Sequence, residues 1–296
     1  MILGKRILLT GASGFVGKRY LQLSNKRYEI HPFSVTGSNI PKDEWLASFD
    51  TVVHMGGLAH QMQKVDPQNY FDANYEKTRT LALLAKKNGV KHFIFISTIK
   101  VFGESQETIL TEKSPCLPID DPYGESKLKA EEFLKTIMDE YFIVTIIRPP
   151  LVYGPDVKGN LQRLLNLCDS GYYLPFGSIN NRRSMIFVDN LIELINHLID
   201  TGTGGLFLAG DDRPVSTEEL VIMIRQRQGK PKRLFAIPFF ARYLLKSIKP
   251  MLAIRLFGSL EMDSVTSYKK INFVPPYSIA DGVSLMVDAY MENKTK

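Results

Sequence analysis

Short, unbroken apolar runs rich in β-branched residues recur through the first half of this chain, each followed by a longer amphipathic stretch. Ile7 to Thr10, Asp50 to His54, His92 to Thr98 (HFIFIST) and Phe142 to Ile147 read as strands. Gly17 to Leu23, Thr78 to Lys87 and Tyr123 to Met138 read as helices. A strand that is apolar at every position must be buried on both faces, and a parallel sheet with helices on either side provides that burial. The predicted fold class is therefore α/β, a doubly wound parallel sheet.

Beyond Arg148-Pro149-Pro150 the rhythm changes. Loops rich in Gly, Asn and Pro mix with helices at Leu161 to Leu167, Asp189 to Leu198 and Thr217 to Gln228, and with an apolar strand at Met185 to Val188. A length of 296 residues fits one large core or two unequal lobes. The expected division is a dinucleotide-binding domain over 1–155 and a smaller, mixed α/β substrate lobe over 156–296, partly interleaved with the first. Ligands of open α/β sheets sit outside the carboxyl ends of the strands, so a second lobe there closes a cleft.

With 44% hydrophobic and 23% charged residues, collagen, coiled coil and intrinsic disorder drop out. Cys116 and Cys168, far apart, fit neither a disulfide framework nor a metal site, and read as reduced thiols of a cytoplasmic protein. The first residues have no signal-peptide pattern, and no window approaches the ~18–20 apolar residues of a membrane span. A net charge of +6 points to anionic partners, but the basic residues accompany no nucleic-acid-binding motif. The stretch from Pro238 to Leu260 is amphipathic and basic, suiting peripheral contact with an anionic membrane, a homodimer interface or a packed helical lobe; its apolar fraction favours packing.

Directly after the first strand comes Gly11-Ala-Ser-Gly14-Phe-Val-Gly17. A dinucleotide loop needs one glycine for the turn, one where backbone approaches pyrophosphate, and one where helix packs on strand; the following helix N-terminus holds the anion. Gly11, Gly14 and Gly17 fit those roles, with Ser13, Phe15 and Val16 between them. The second strand ends at Ser34, with neither an acid for an adenosine 2′-hydroxyl nor an arginine for a 2′-phosphate, so NAD and NADP both remain open.

Tyr123 and Lys127 stand at i and i+4, on one face of a helix opened by Asp120-Asp121-Pro122. The cation and the helix dipole are expected to pull the phenol pKa down from ~10 toward the range of a general acid/base. Thr98, 25 residues earlier, ends an apolar strand at the carboxyl edge. Its hydroxyl and that of Tyr123 can hold a carbonyl oxygen while nicotinamide exchanges hydride at the carbon.

GASGFVG, Val-Val-His54-Met55-Gly56-Gly57, Asn74 in NYEKTRTL, Ser97-Thr98-Ile-Lys-Val-Phe-Gly103, Tyr123-x-x-x-Lys127 and Arg148-Pro-Pro-Leu-Val-Tyr-Gly-Pro155 resemble, in order, the motifs of extended short-chain dehydrogenase/reductases. IRPPLVYGPDVKGN, INNRRSMIFVDNLI and RLFGSLEMD further resemble nucleotide-sugar 4-epimerases and 4-ketoreductases of bacterial surface-polysaccharide synthesis. That resemblance implies a Rossmann-type fold and an NAD or NADP cofactor. It also implies Thr98 as carbonyl-binding hydroxyl, Tyr123 as catalytic acid/base and Lys127 on the nicotinamide ribose. His54, Met55 and Gly56 would line the adenosine side, Pro149 and Pro150 the nicotinamide, and Asn74 and Ser97 join the cofactor set. Related 4,6-dehydratases carry Asp-Glu after the catalytic Thr; Ile99-Lys100 stands here, which disfavours dehydration.

A nucleotide-diphosphate sugar is anionic, and arginine offers it a bidentate fork. The resemblance implies a diphosphate-binding arginine at Arg182, with Arg183 close behind. Lys100, Asn160 and Asp263 are further substrate-binding candidates. The expected function is hydride transfer at C4 of a UDP-sugar, a UDP-N-acetylhexosamine by preference, as a 4-epimerase. Reduction of a UDP-4-keto-6-deoxy sugar is the alternative, and a catalytically silent dinucleotide-binding protein the competitor from another class.

Overall fold

The computed structural model describes residues 4–37, 39–59, 65–104 and 108–295. Ten strands occur among them: β1 (Arg6–Thr10), β2 (Glu29–Phe33), β3 (Thr51–His54), β4 (His92–Ile96), β5 (Ile143–Arg148), β6 (Leu151–Tyr153), β7 (Leu174–Gly177), β8 (Met185–Phe187), β9 (Gly205–Leu208) and β10 (Leu234–Ala236). Six form one parallel sheet in the order β2-β1-β3-β4-β5-β9. The chain steps outward from β1 to β2, then crosses to β3 on the other side of β1. The crevice where ligands collect in such sheets therefore opens between the carboxyl ends of β1 and β3.

Alternate residues of these strands feed two cores. Ile7, Leu9, Val53, Ile94 and Ile147 pack with the helix Val188–Thr201. Leu8, Val52, Phe93, Phe95, Val144 and Ile146 face the other way, toward the helices Lys77–Lys87 and Pro122–Ile137. That two-sided burial is why the strands read as continuous apolar runs. Truncating one of these fully buried side chains to Ala costs about 2–5 kcal/mol.

Residues 188–208 return to the sheet from beyond the 155 boundary. The helix Val188–Thr201 lies on the helix Phe15–Ser24, where Arg19 forks onto both carboxylate oxygens of Asp189 at 2.7 Å. β9 then completes the sheet beside β5. The rest of the second half forms two small parallel sheets, β6/β8 and β7/β10, with helices at Asn160–Asp169, Thr217–Arg227, Ser264–Lys270 and Ile279–Thr295.

The expectation that the amphipathic basic stretch packs inside the lobe is corrected. It forms a hairpin of the helices Phe239–Ile248 and Pro250–Phe257. Ala253 is buried, and Leu256 and Phe257 rest on the core, so the second helix is anchored. The first turns an apolar face outward: Phe240, Tyr243, Leu244 and Ile248 are 74%, 69%, 57% and 66% exposed. No helix among the described residues is long and apolar enough to cross a membrane.

Candidate active site

The glycine loop sits at the switch point. Gly11 adopts φ +76°, and a Cβ there would lie 2.6 Å from the backbone carbonyl of Met55, because the loops after β1 and β3 touch. A Cβ on Gly17 would collide with the carbonyl of Gly11, so the helix Phe15–Ser24 approaches the loop only with glycine at that position. Gly14 is its N-cap and provides no side chain, which leaves the first-turn amides at Phe15 and Val16 without a side-chain acceptor. Beside them a cavity of about 550 Å³ is lined by Gly11, Ser13, Ser34, His54, Gly56 and Lys77, among others. An uncapped helix N-terminus opening onto such a cavity fits the pyrophosphate and adenosine half of a dinucleotide.

His54 forms part of the cavity's wall and frame. Its Nδ1 is 2.6 Å from Thr10 Oγ1 and its Nε2 is 2.9 Å from Thr78 Oγ1. Thr78 donates its own proton to the carbonyl of Asn74, so His54 must donate from Nε2 and accept at Nδ1 from Thr10. Burial pulls its pKa down to about 3, with Lys127 adding to the effect, and the ring is neutral. Asn74 lies in a π-helical turn, Phe71–Glu76. Its amide pairs with both backbone polar groups of Leu58 and donates to Ser126 Oγ at 3.0 Å. It thus ties the loop after β3 to the helix Pro122–Ile137.

That helix brings Tyr123, Lys127 and Glu131 to one face. Lys127 is 5% exposed; its Nζ donates to the carbonyl of Ile96 at 2.9 Å and lies 4.6 Å from the centre of the Phe95 ring. Burial lowers its pKa to about 8, with Glu131 opposing. A Cβ on Gly57, in the cavity wall, would collide with Asn74 Oδ1 and lie 3.7 Å from this ammonium, so both side chains stand close behind that wall. Thr98 caps a 3₁₀ turn at Ile99–Phe102, accepting from the amide of Lys100 at 3.2 Å, and its hydroxyl lies close enough to the Tyr123 phenol to favour the phenolate. Pro149 and Pro150 are buried alongside, the carbonyl of Pro149 accepting from the amide of Ile99 at 2.9 Å.

Two sequence expectations are corrected here. Tyr123 is not acidified: burial pushes its pKa up to about 12 against the opposing influence of the Thr98 hydroxyl, with Asp121 and Tyr70 adding to the rise. Asp121 stands at the N-cap position, but its carboxylate accepts from Lys100 Nζ at 3.1 Å instead of from helix amides. Ser97, expected at the cofactor, donates to Glu131, which is fully buried against Arg148 at 2.5 Å. Arg148 lies 4.7 Å over the Phe102 ring. Sequence reasoning missed Glu131 as an active-site support, although i+8 from Tyr123 is the same helical face.

The substrate side gathers charges from distant segments. Lys100 pairs with Glu104 and Asp121, and Glu104 also accepts from Arg255 at 3.2 Å. Burial opposes the Glu104 charge, but Lys100 and Arg255 hold its carboxyl below the usual range. Arg183 is buried enough to lower its pKa, feels both Glu104 and Arg255, and donates to the carbonyl of Gly258 at 3.0 Å. Arg182, favoured from sequence, instead forks onto Glu261 at 2.5 and 2.8 Å with its side chain 62% exposed. Asp263 caps the helix Ser264–Lys270, accepting from the amide of Thr266 at 3.0 Å, and Asn160 is exposed at the start of its helix. Neither belongs to the Glu104 cluster.

Residues 7–210 match the model of the NAD dependent epimerase/dehydratase family. A UDP-glucose 4-epimerase of Vibrio cholerae is 35% identical, covering 97% of this chain and 96% of that protein. An N-acetyl-alpha-D-glucosaminyl-diphospho-ditrans,octacis-undecaprenol 4-epimerase of Escherichia coli O157:H7 is 27% identical over 94% of this chain and 92% of its own. The crystal structure of UDP-glucuronic acid 4-epimerase from Bacillus cereus in complex with NAD superposes with a TM-score of 0.77 at 21% identity, covering 98% of this chain and 100% of that one. Switch-point cavity, glycine loop and Tyr–Lys helix thus coincide with a match across the chain, which belongs to the NAD dependent epimerase/dehydratase family.

Proposed function

We propose that the protein is a UDP-sugar 4-epimerase, acting at C4 of a UDP-linked hexose with UDP-N-acetylhexosamine as its preferred class. One observation carries the reading: the Thr98 hydroxyl lies close to the Tyr123 phenol, with the buried ammonium of Lys127 one helical turn further on, at the carboxyl edge of the sheet. The identity to the Vibrio cholerae UDP-glucose 4-epimerase supports it.

The cavity at the glycine loop would hold the adenosine and pyrophosphate, and Lys127 would reach the nicotinamide ribose. Bound nicotinamide supplies a reversible hydride acceptor. Thr98 holds the O4 oxygen, and Tyr123 takes its proton as the carbinol is oxidised and returns it after the 4-keto sugar has turned over. Ile99, 5% exposed and apolar, stands where an eliminating acid would be needed, which argues against dehydration. Arg183 and Arg255 are assigned to the diphosphate, with Glu104 their counter-ion before substrate arrives.

A second reading, reduction of a UDP-4-keto-6-deoxy-N-acetylhexosamine, is favoured by Lys77 in the adenosine cavity and by the absence of an acid at Ser34, both suited to a 2′-phosphate. Incubation with UDP-glucose or UDP-N-acetylglucosamine, followed by NMR of the C4 configuration, decides between them. Inversion without net cofactor consumption supports the epimerase. Turnover only of a 4-keto sugar, with one equivalent of reduced cofactor used, supports the reductase.

A further inference from the structure

The hairpin Phe239–Ile248/Pro250–Phe257 has no part in the chemistry of the proposed active-site hydroxyls, yet it carries several large exposed apolar side chains. Phe240, Tyr243, Leu244 and Ile248 fall at i, i+3, i+4 and i+8, one face of the first helix, and all are more than half exposed. Met251 extends the apolar surface at 46% exposure. β10, which leads into the helix, adds Phe235 at 47% and pairs with β7, next to which Tyr173 is 68% exposed under the guanidinium of Arg233. Four large apolar side chains on one helix face form a patch that needs a partner.

The charge says which partner. Residues 230–257 hold seven basic side chains, Lys230, Lys232, Arg233, Arg242, Lys246, Lys249 and Arg255, and no acid. That leaves 30 of the chain's 37 basic residues against 31 acidic ones, so this one segment accounts for the whole positive balance. Arg255 and Lys230 are neutralised by Glu104 and Asp169. Lys232, Lys246 and Lys249 are exposed, with no carboxylate partner among the described residues. A second copy docked face to face would set these cations against themselves. Nucleic acid would satisfy the cations and leave the apolar face wet. An anionic bilayer surface accommodates both, with aromatic and aliphatic side chains in the interface and lysines at the headgroups.

We propose that this hairpin seats the protein on anionic lipid, as a peripheral and reversible contact. The test is flotation of the full chain with phosphatidylcholine vesicles containing about a third phosphatidylglycerol, against phosphatidylcholine alone. The protein should float with the anionic vesicles only, and lose them at about 1 M salt, where the Debye length falls to about 3 Å. Exchanging the apolar face (Phe240→Ser, Tyr243→Ser, Leu244→Ser, Ile248→Ser) should lower the vesicle affinity about tenfold or more. Reversing Lys246→Glu and Lys249→Glu should do the same. Both variants should keep the wild-type melting temperature and NAD binding, because the residues changed are exposed. Failure of the wild type to float, equal flotation with neutral vesicles, or undiminished flotation of both variants would overturn the proposal. So would a dimer in solution that the apolar exchange splits while the wild type ignores vesicles, which would assign the face to a second copy.

Discussion

The Thr98 hydroxyl lies close to the Tyr123 phenol beside the turn that follows β4, one from a strand edge and the other from the first turn of a helix. A substrate oxygen placed between them inherits two donors. Removing the phenol with Tyr123→Phe should cut turnover by about 10²–10⁴-fold, the usual worth of a positioned acid/base. Thr98→Val should cost about 10²-fold. Cofactor affinity, measured by titration, should stay within a few-fold of wild type. Turnover that survives Tyr123→Phe would remove the phenol from the chemistry.

Arg183 and Arg182 are neighbours with opposite fates, one buried toward Glu104 and Arg255, the other exposed on Glu261. Arg183→Met should therefore raise the dissociation constant for UDP about tenfold or more, the loss of one charge-assisted contact of about 1.5–3 kcal/mol. Arg182→Met should change it less than threefold. Calorimetric titration with UDP checks both, and equal effects would show that burial does not mark the diphosphate side.

What could be read from sequence was local. The glycine loop and the Tyr123–Lys127 pair depend on spacings of a few residues, where chain geometry fixes the outcome. Glu104 and Arg255 stand 151 residues apart and Arg19 and Asp189 170 apart, and only the folded chain brings them together. The sign of the Tyr123 shift differs from the sequence expectation for a related reason. Lys127 stands four residues on, but its ammonium is turned to the carbonyl of Ile96, and the desolvation that raises the phenol depends on everything packed around the ring. Likewise, a high apolar fraction between Pro238 and Leu260 points to burial, yet Phe240, Tyr243, Leu244 and Ile248 on one helix of the pair are more than half exposed.

Lys77 lines the cavity at the glycine loop together with Ser34 and Thr36, without an ion-pair partner among the described residues. If it meets a 2′-phosphate, 2′,5′-ADP should bind more tightly than 5′-AMP, and Lys77→Met should erase most of that difference, about fivefold to tenfold for one exposed charge pair. Trp45, the only tryptophan, lies 5.4 Å from the ring of Phe33 in the cavity wall, so its fluorescence reports binding directly. Equal affinity for the two nucleotides would leave Lys77 as a solvated side chain.

His54 and His92 tie acid stability to the same framework. His92 Nε2 lies 2.7 Å from Thr145 Oγ1, which itself donates to the carbonyl of Thr203, so this ring too must be a neutral donor. Burial lowers the two pKa values to about 3 and about 4, below the ordinary 6.5. The unfolded chain then binds more protons than the folded one between 6.5 and those values, so the stabilisation is complete above pH 6.5 and drains away as pH falls. Carboxylates, with ordinary values near 4, contribute little between pH 6.5 and 5. Each histidine should give a slope approaching about 1 kcal/mol per pH unit in that window, read as a falling thermal midpoint. His92→Gln keeps a donor for Thr145 but cannot titrate, and should remove about half of that slope. An unchanged slope in the variant would mean that His92 is charged, or free to become so, in the folded protein.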